Sequence, residues 1–215
     1  MKFEIPFNDL SMFLKNTSDS IQHLVQKIKQ EFSPQKIIAD DLPPVRACFA
    51  QGTLVHLKGI TCPIEWVNVG ALVLARDEKT GEQGYRRVAK TFVHRDRQIF
   101  KVAYATDEGR AESLYTTAEH PFWVKNVGWT EVSNLRPGHI LEICDPDGRD
   151  DEDRCMAGLE TLALSGERWT ATVIDVQETE HRFTVYNIEV EDFHTYFVGA
   201  HGVFVHNTKG SFTHD

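Results

Sequence analysis

Residues 194–207 read HTYFVGAHGVFVHN. Two short runs, Thr195–Val198 and Val203–His206, are built largely from β-branched and aromatic residues and predict strands. The second run ends on the pair His206-Asn207. Outward from here, toward the N-terminus, the same short alternating pattern recurs. Strands are predicted at Thr53–Leu57, Ala71–Ala75, Arg86–His94, Ile99–Ala105, Ser113–Thr117, Phe122–Lys125, Ile140–Cys144, Trp169–Val176 and Phe183–Val190. Asp77–Gly84 and Asp107–Gly109 carry hairpin-turn chemistry. Many short strands in series predict an all-β module from Cys48 to Asn207. A faint internal repeat runs through it. EWVNVGALVLA around Gly70 aligns with SNLRPGHILEI around Gly138, placing Val67 on Leu135 and Leu72 on Ile140. Two pseudo-symmetric halves would produce such a repeat.

Residues 1–47 have a different period. Ile21, Leu24, Val25, Ile28 and Phe32 fall at helical spacing, Ser18 or Asp19 can cap the start, and Ser33-Pro34 stops the run. A short N-terminal helical segment is therefore expected, then a linker over 36–47 with Pro43-Pro44. Asp145–Arg154 (DPDGRDDEDR) packs six acids into ten residues and reads as a solvated loop. A calcium loop would need Asp-x-Asp-x-Asp-Gly, and Gly148 stands two positions too early.

The 215 residues carry a net charge of −9. That balance argues against nucleic acid or an anionic membrane surface as partner. No stretch approaches the roughly 18 apolar residues of a membrane span, and MKFEIPFNDL shows no signal-peptide pattern. The four cysteines (Cys48, Cys62, Cys144 and Cys155) are too few and scattered for a disulfide framework. No CxxC occurs, so neither a structural zinc nor another cofactor is expected.

Chemistry concentrates in four stretches: CFAQGT from Cys48, TAEHP from Thr117, VYNIEV from Val185, and the closing VFVHN. Singly, a cysteine is most often a small buried hydrophobe, and a His-Asn pair a turn. Their order changes the weighing, because a nucleophile opens the β module, a Thr-x-x-His lies within it, and His-Asn closes it. This suits chemistry on the chain's own backbone. A Cys48 thiol can attack the Ala47 carbonyl and convert the amide to a thioester. The departing amide nitrogen needs a proton, which a histidine such as His120 can give. A hydroxyl such as Thr117 can polarise the carbonyl or fix the geometry. An asparagine can close its side-chain amide on its own carbonyl and expel the following residue. His206 and His194 are the candidate assistants for Asn207.

With these stretches in hand, residues 48–207 resemble the Hedgehog/intein (Hint) family. CFAQGT resembles its first block, TAEHPFWV its Thr-x-x-His block, and VYNIEV with HTYFVGAHGVFVHN its closing blocks. The wording is most similar to bacterial intein-like and pretoxin Hint domains of polymorphic toxins. The resemblance implies a β horseshoe that processes itself in a single turnover, without trans-acting activity. Cys48 would be the acyl-shift nucleophile, with Thr117 and His120 as its activators. His194 and His206 would assist Asn207, the cyclising residue, and Thr208 would be an acceptor hydroxyl for full splicing. The implied partners are the N-terminal region and a covalently attached C-terminal effector, of which 208–215 is a stub. The implied location is the bacterial cytoplasm before export with a secreted toxin. Many inteins carry Asp where this chain has Asn187, which implies weak coupling between the two ends. There is no room between His120 and Phe183 for a homing-endonuclease domain.

Three other readings compete. One is an inert Hint scaffold joining the N-terminal region to an effector. Another is a metal site of Cys48, His120, His194 and His206. The third is a trans-acting cysteine protease using Cys48 with His120.

Overall fold

A computed structural model describes residues 37–38, 47–144 and 169–207. The expected N-terminal helix, the acidic loop and the segment from Thr208 onward lie outside these described residues. The strands are β1 (Ile37–Ile38), β2 (Phe49–Ala50), β3 (Leu54–Leu57), β4 (Ile60–Pro63), β5 (Leu72–Arg76), β6 (Gln83–Thr106) and β7 (Ala111–Thr116). They continue as β8 (Pro121–Val124), β9 (Gly128–Glu131), β10 (Ile140–Glu142), β11 (Thr170–Val190), β12 (Thr195–Val198) and β13 (Val203–His206). All are hydrogen-bonded into one sheet system. Among the described residues there is no α-helix, only 3-10 turns at Ile64–Trp66 and Val132–Asn134. The all-β reading is correct.

Two pairs of expected strands are single long ones. Arg86–His94 and Ile99–Ala105 are both part of β6, and Trp169–Val176 and Phe183–Val190 both part of β11. The ladder between β6 and β11 runs from Ala171↔Thr106 to Val190↔Val88, with register shifts on the way. The polar stretches Arg95–Gln98 and Gln177–His181 suggested breaks. They stay in strand because the ladder resumes through Gln98↔Arg182 and Arg97↔Phe183, and because Thr179 Oγ1 donates to Ile99 O at 3.0 Å across the irregular step. At the far end Asp96 adopts a positive φ of 53° and accepts a hydrogen bond from Arg182 Nε at 2.8 Å. Within the expected linker, Ile37–Ile38 pairs in parallel with Phe92–Val93 of β6.

The internal repeat is structural. In the first half a hairpin (β3, β4) leads to a 3-10 turn, a glycine and a strand (β5). In the second, β8 and β9 lead to the other 3-10 turn, a glycine and β10. Gly70 N donates to Val88 O of β6 at 2.8 Å, and Gly138 N donates to Val173 O of β11 at 2.8 Å. Val67 and Leu135 both enter the core, at 0% and 1% exposure. The hairpin β12–β13 then clasps the halves at matching points, Val198 on Val55 of β3 and Val205 on Phe122 of β8. Among the largest buried side chains, Phe49 packs on Phe122 at 6.1 Å and on Tyr196 at 6.4 Å, joining β2 to β8 and β12. Burying each such residue contributes about 1.5–3 kcal/mol or more.

Gly70 and Gly138 have φ of +88° and +90°, and an added Cβ would meet nothing within 4 Å at either. A side chain there therefore strains only the backbone. Gly70→Ala and Gly138→Ala should each destabilise the fold by about 1–2 kcal/mol. Urea unfolding should give matching costs, and a cost confined to one glycine would deny their equivalence.

Candidate active site

The first cluster forms where β2 is held between β7 and β11. Phe49 pairs with Thr116 on one side and with Tyr186 on the other. One residue earlier, Cys48 and Thr117 face each other. Cys48 N donates to Thr117 Oγ1 at 2.9 Å, and Thr117 N donates to Cys48 O at 2.9 Å. Thr116 Oγ1 also donates to Cys48 O, at 2.8 Å. The Thr117 hydroxyl thus sits on the nitrogen of the Ala47–Cys48 peptide, rather than on its carbonyl. Cys48 is fully buried, and burial pushes its thiol up to about 12, with Arg97 acting weakly against this and Glu119 with it. At rest the thiol keeps its proton.

His120 stands beside this peptide because the turn after β7 is tight: its N donates to Thr117 O at 3.2 Å and its carbonyl accepts Val132 N at 3.1 Å. The other half builds the same turn around Thr53. Thr53 N donates to Ala50 O at 3.3 Å, and its carbonyl accepts Ile64 N at 2.8 Å. There the side chain merely closes the turn, Thr53 Oγ1 donating to Ala50 O at 2.9 Å. In the second half the position carries an imidazole. Its ring lies 4.0 Å from Phe49, with Phe122 and Tyr196 at 6.0 and 6.4 Å. No ring-nitrogen hydrogen bond of good geometry forms among the described residues, although the Cys48 backbone stands close enough to act on the ring as a hydrogen-bonding group. Burial first, then the nearby His206, pushes the imidazole down to about 3, while the Cys48 backbone acts the other way. His120 is therefore neutral near pH 7.

The second cluster lies at the open end of the β12–β13 hairpin. Thr195 pairs with His206, and Asn207 N donates to His194 O at 2.9 Å. Asn207 is buried, and both polar atoms of its side chain lack a partner among the described residues. His194 is exposed, with a positive φ of 54°. His206 is half-buried, its ring 5.1 Å from that of Trp129 and nearly perpendicular to it at 79°. Burial pushes His206 down to about 4, Glu78 opposes this and His194 adds to it. His206 acts electrostatically on His120 and His194 acts on His206, so the two clusters adjoin.

Five of the six described residues expected here are thus held in two adjoining clusters, the first buried and the second partly open: Cys48, Thr117, His120, His206 and Asn207. His194 reaches the second cluster through its carbonyl and its charge. Thr208 lies outside the described residues. The structure adds Tyr196, whose hydroxyl donates to Asn187 Oδ1 at 2.9 Å, the same oxygen that accepts Ile188 N at 2.8 Å. Burial raises the Tyr196 hydroxyl well above the usual phenol range, and Cys48 adds to this. Tyr196 stands in a strand buried along its whole length, so no alternation marks it out in the sequence. Thr116, Arg97, Glu78 and Trp129 had no sequence signal. The metal alternative does not gather: among the described residues no three His, Cys, Asp or Glu side chains are placed to hold an ion.

A duplicated β sheet with a buried Cys/Thr/His cluster at one junction and a His-Asn pair at the other defines an intein-like, self-processing class of domain. The chain belongs to the pretoxin Hint domain family, whose model matches residues 54–149 and 151–208. It is similar to the solution structure of a bacterial intein-like domain from Clostridium thermocellum. That match has 26% identity and a TM-score of 0.57, covering 74% of this chain and 97% of that one. It is also similar in fold to an Ssp DnaB mini-intein variant, at 16% identity and TM-score 0.61, covering 80% and 100%. The DnaX mini intein from Spirulina platensis matches at 17% identity and TM-score 0.55, covering 74% and 98%. No curated protein matches the chain.

Both histidines, His120 buried and His206 half-buried, take up protons more readily once unfolded. Near pH 7 neither state is charged, so their neutrality costs little there. Between the ordinary histidine value of about 6.5 and their folded values the unfolded state holds more protons, and stability falls as pH falls. Each histidine contributes a slope of up to about 1.4 kcal/mol per pH unit. His120→Gln should lose less stability than wild type between pH 7 and pH 5, measured by urea unfolding at both. An equal loss would place His120 in a wetter environment.

Proposed function

We propose that this domain breaks its own chain after Asn207 and so releases a C-terminal segment, a toxin effector in the sense of the pretoxin family. The carrying observation is the Asn207 side chain, buried with both polar atoms unpartnered beside His206 and the His194 carbonyl. A buried unpaired amide costs about 1–3 kcal/mol, and a reaction that uses it gives a reason for tolerating that cost. Asn207 Nδ2 attacks the Asn207 carbonyl carbon and a five-membered imide closes. The bond to Thr208 breaks, and the departing nitrogen gains the proton that Nδ2 loses, relayed by His206 with His194. The event happens once per chain.

At the other junction, the Cys48 thiol attacks the Ala47 carbonyl carbon and gives its proton to His120. His120 returns that proton to the Cys48 nitrogen as the C–N bond breaks and a thioester forms. A neutral thiol and a neutral imidazole suit this exchange, since the proton need not cross to solvent. Thr117 Oγ1, on the N–H of that same peptide, holds the nitrogen in place. Asn187, fixed by Tyr196 and Ile188, has its side-chain oxygen already engaged. The two cleavages are therefore independent, and splicing onto Thr208 is an additional outcome. Trans-acting proteolysis is disfavoured, because Cys48 and His120 are both 0% exposed. The inert-scaffold alternative has one observation in its favour, the thiol that burial pushes up to about 12. It bears only on the N-terminal junction.

Two experiments test this. With a reporter protein fused after Asp215, Asn207→Ala should stop release. His194→Ala and His206→Ala should each slow it at least about tenfold. Cys48→Ala should leave it largely intact. A reporter freed from Asn207→Ala at full rate would overturn the proposal, and one never freed from wild type would promote the scaffold. Separately, thiol or hydroxylamine should cleave at Ala47–Cys48. His120→Ala should suppress this about 10²–10⁴-fold, far more than Thr117→Ala, which removes one hydrogen bond. Equal small effects would make TAEHP a structural turn.

A further inference from the structure

Glu78 lies in the turn between β5 and β6, on the first half of the repeat. The turn is fixed from within. Asp77 Oδ1 accepts Lys79 N at 2.7 Å and Thr80 N at 2.9 Å. Asp77 N donates to Glu82 O at 2.8 Å, and Gly81 N to Asp77 O at 2.9 Å. The Thr80 N–H, then the Lys79 N–H, hold the Asp77 carboxyl below its usual range, so it stays ionised and the turn stays closed. Glu78 then reaches to the other half, where its carboxylate accepts the indole N–H of Trp129 on β9. Trp129 packs on Trp123 at 4.9 Å and on Phe204 at 5.1 Å, and meets the His206 ring at 5.1 Å.

We propose that Glu78, held by the Trp129 indole, is a positioning residue for His206 in the cleavage after Asn207. Its carboxylate sustains the positive charge that His206 takes up as it relays a proton to the departing nitrogen, while Trp129 fixes the ring plane. The inference rests on the proposed release after Asn207 for its catalytic meaning. Among the described residues, the titratable groups that act on His206 include Glu78 from the β5–β6 turn, His194 from the segment before β12 and His120 from the turn after β7. Among these, Glu78 alone is negative. Burial and His194 both lower the basicity of His206, and Glu78 offsets part of that loss. The pairing also crosses the two halves, so the C-terminal junction is complete only when both are docked.

The test uses the full chain with Asn207→Ala, which cannot cleave after Asn207, and follows the ring protons of His206 by NMR from pH 7 downward. Glu78→Gln keeps an acceptor for the Trp129 indole and removes the charge. It should lower the His206 titration midpoint, while the remaining spectrum and the thermal midpoint stay as in the parent. In the chain with Asn207 intact, Glu78→Gln should slow reporter release about two- to fivefold at pH 7, the usual worth of an exposed charge acting on a neighbour. The pH–rate limb should move to lower pH. Trp129→Phe, which keeps an aromatic ring but loses the N–H, should also lower the midpoint. A His206 titration unchanged by Glu78→Gln would overturn the inference, whatever the reporter does. A reporter never freed from wild type would count against the proposed release instead and leave the titration result standing.

Discussion

The structure depends on the pairing of Cys48 with Thr117. Strand β2 has only two residues, yet it is wedged between β7 and β11, with Phe49 opposite both Thr116 and Tyr186. Because the two halves meet here, the peptide before Cys48 lies in the core rather than on an edge. Thr117 satisfies both the N–H and the carbonyl of Cys48, so this backbone enters a dry interior without unpaired groups. From that fixed point the rest of the site is placed by register. The turn after β7 delivers His120, and the β12–β13 hairpin, pinned to β3 and β8, delivers His206 and Asn207.

Burial then sets the chemistry. A thiol pushed up to about 12 and an imidazole pushed down to about 3 are both uncharged near neutral pH. Neither is reactive in the ordinary sense of a preformed thiolate–imidazolium pair. A proton passed between them never needs solvent, and water is kept from any thioester. The C-terminal cluster is more open, since His206 is half-buried and His194 exposed. A fold that keeps one junction dry and the other partly wet gives the two bonds different requirements. This agrees with Asn187 being tied to Tyr196 rather than linking the ends.

Much of this was legible in the sequence. Strands β12 and β13 match their expected limits residue for residue, because apolar and aromatic runs bounded by glycine leave little choice. The repeat was visible through one matched glycine and a few apolar positions, which are the points where a positive φ and a core contact are required. What stayed hidden depends on partners far along the chain. Strands β2 and β4 are too short or too plain to show a period, and they exist because β7, β11 and β3 present backbone to them. Polar stretches in β6 and β11 suggested loops, since strand pairing between two exposed segments leaves no hydrophobic trace. Cys48, Thr117, His120, His206 and Asn207, which the fold brings into adjoining clusters, were singled out from residue types in order. Tyr196, Glu78 and Trp129 were not, because each reaches these clusters through a contact that only folding creates.

The account's central claim is that Asn207 cuts the chain with its own side chain. The most direct measurement is the mass of the fragment that ends at Asn207, taken immediately after release. Cyclisation predicts a C-terminal imide, lighter by one water than a chain ending in an Asn207 carboxylate and converting to it on standing at alkaline pH. A fragment bearing the carboxylate from the first time point, or an end at any residue other than Asn207, would contradict the account.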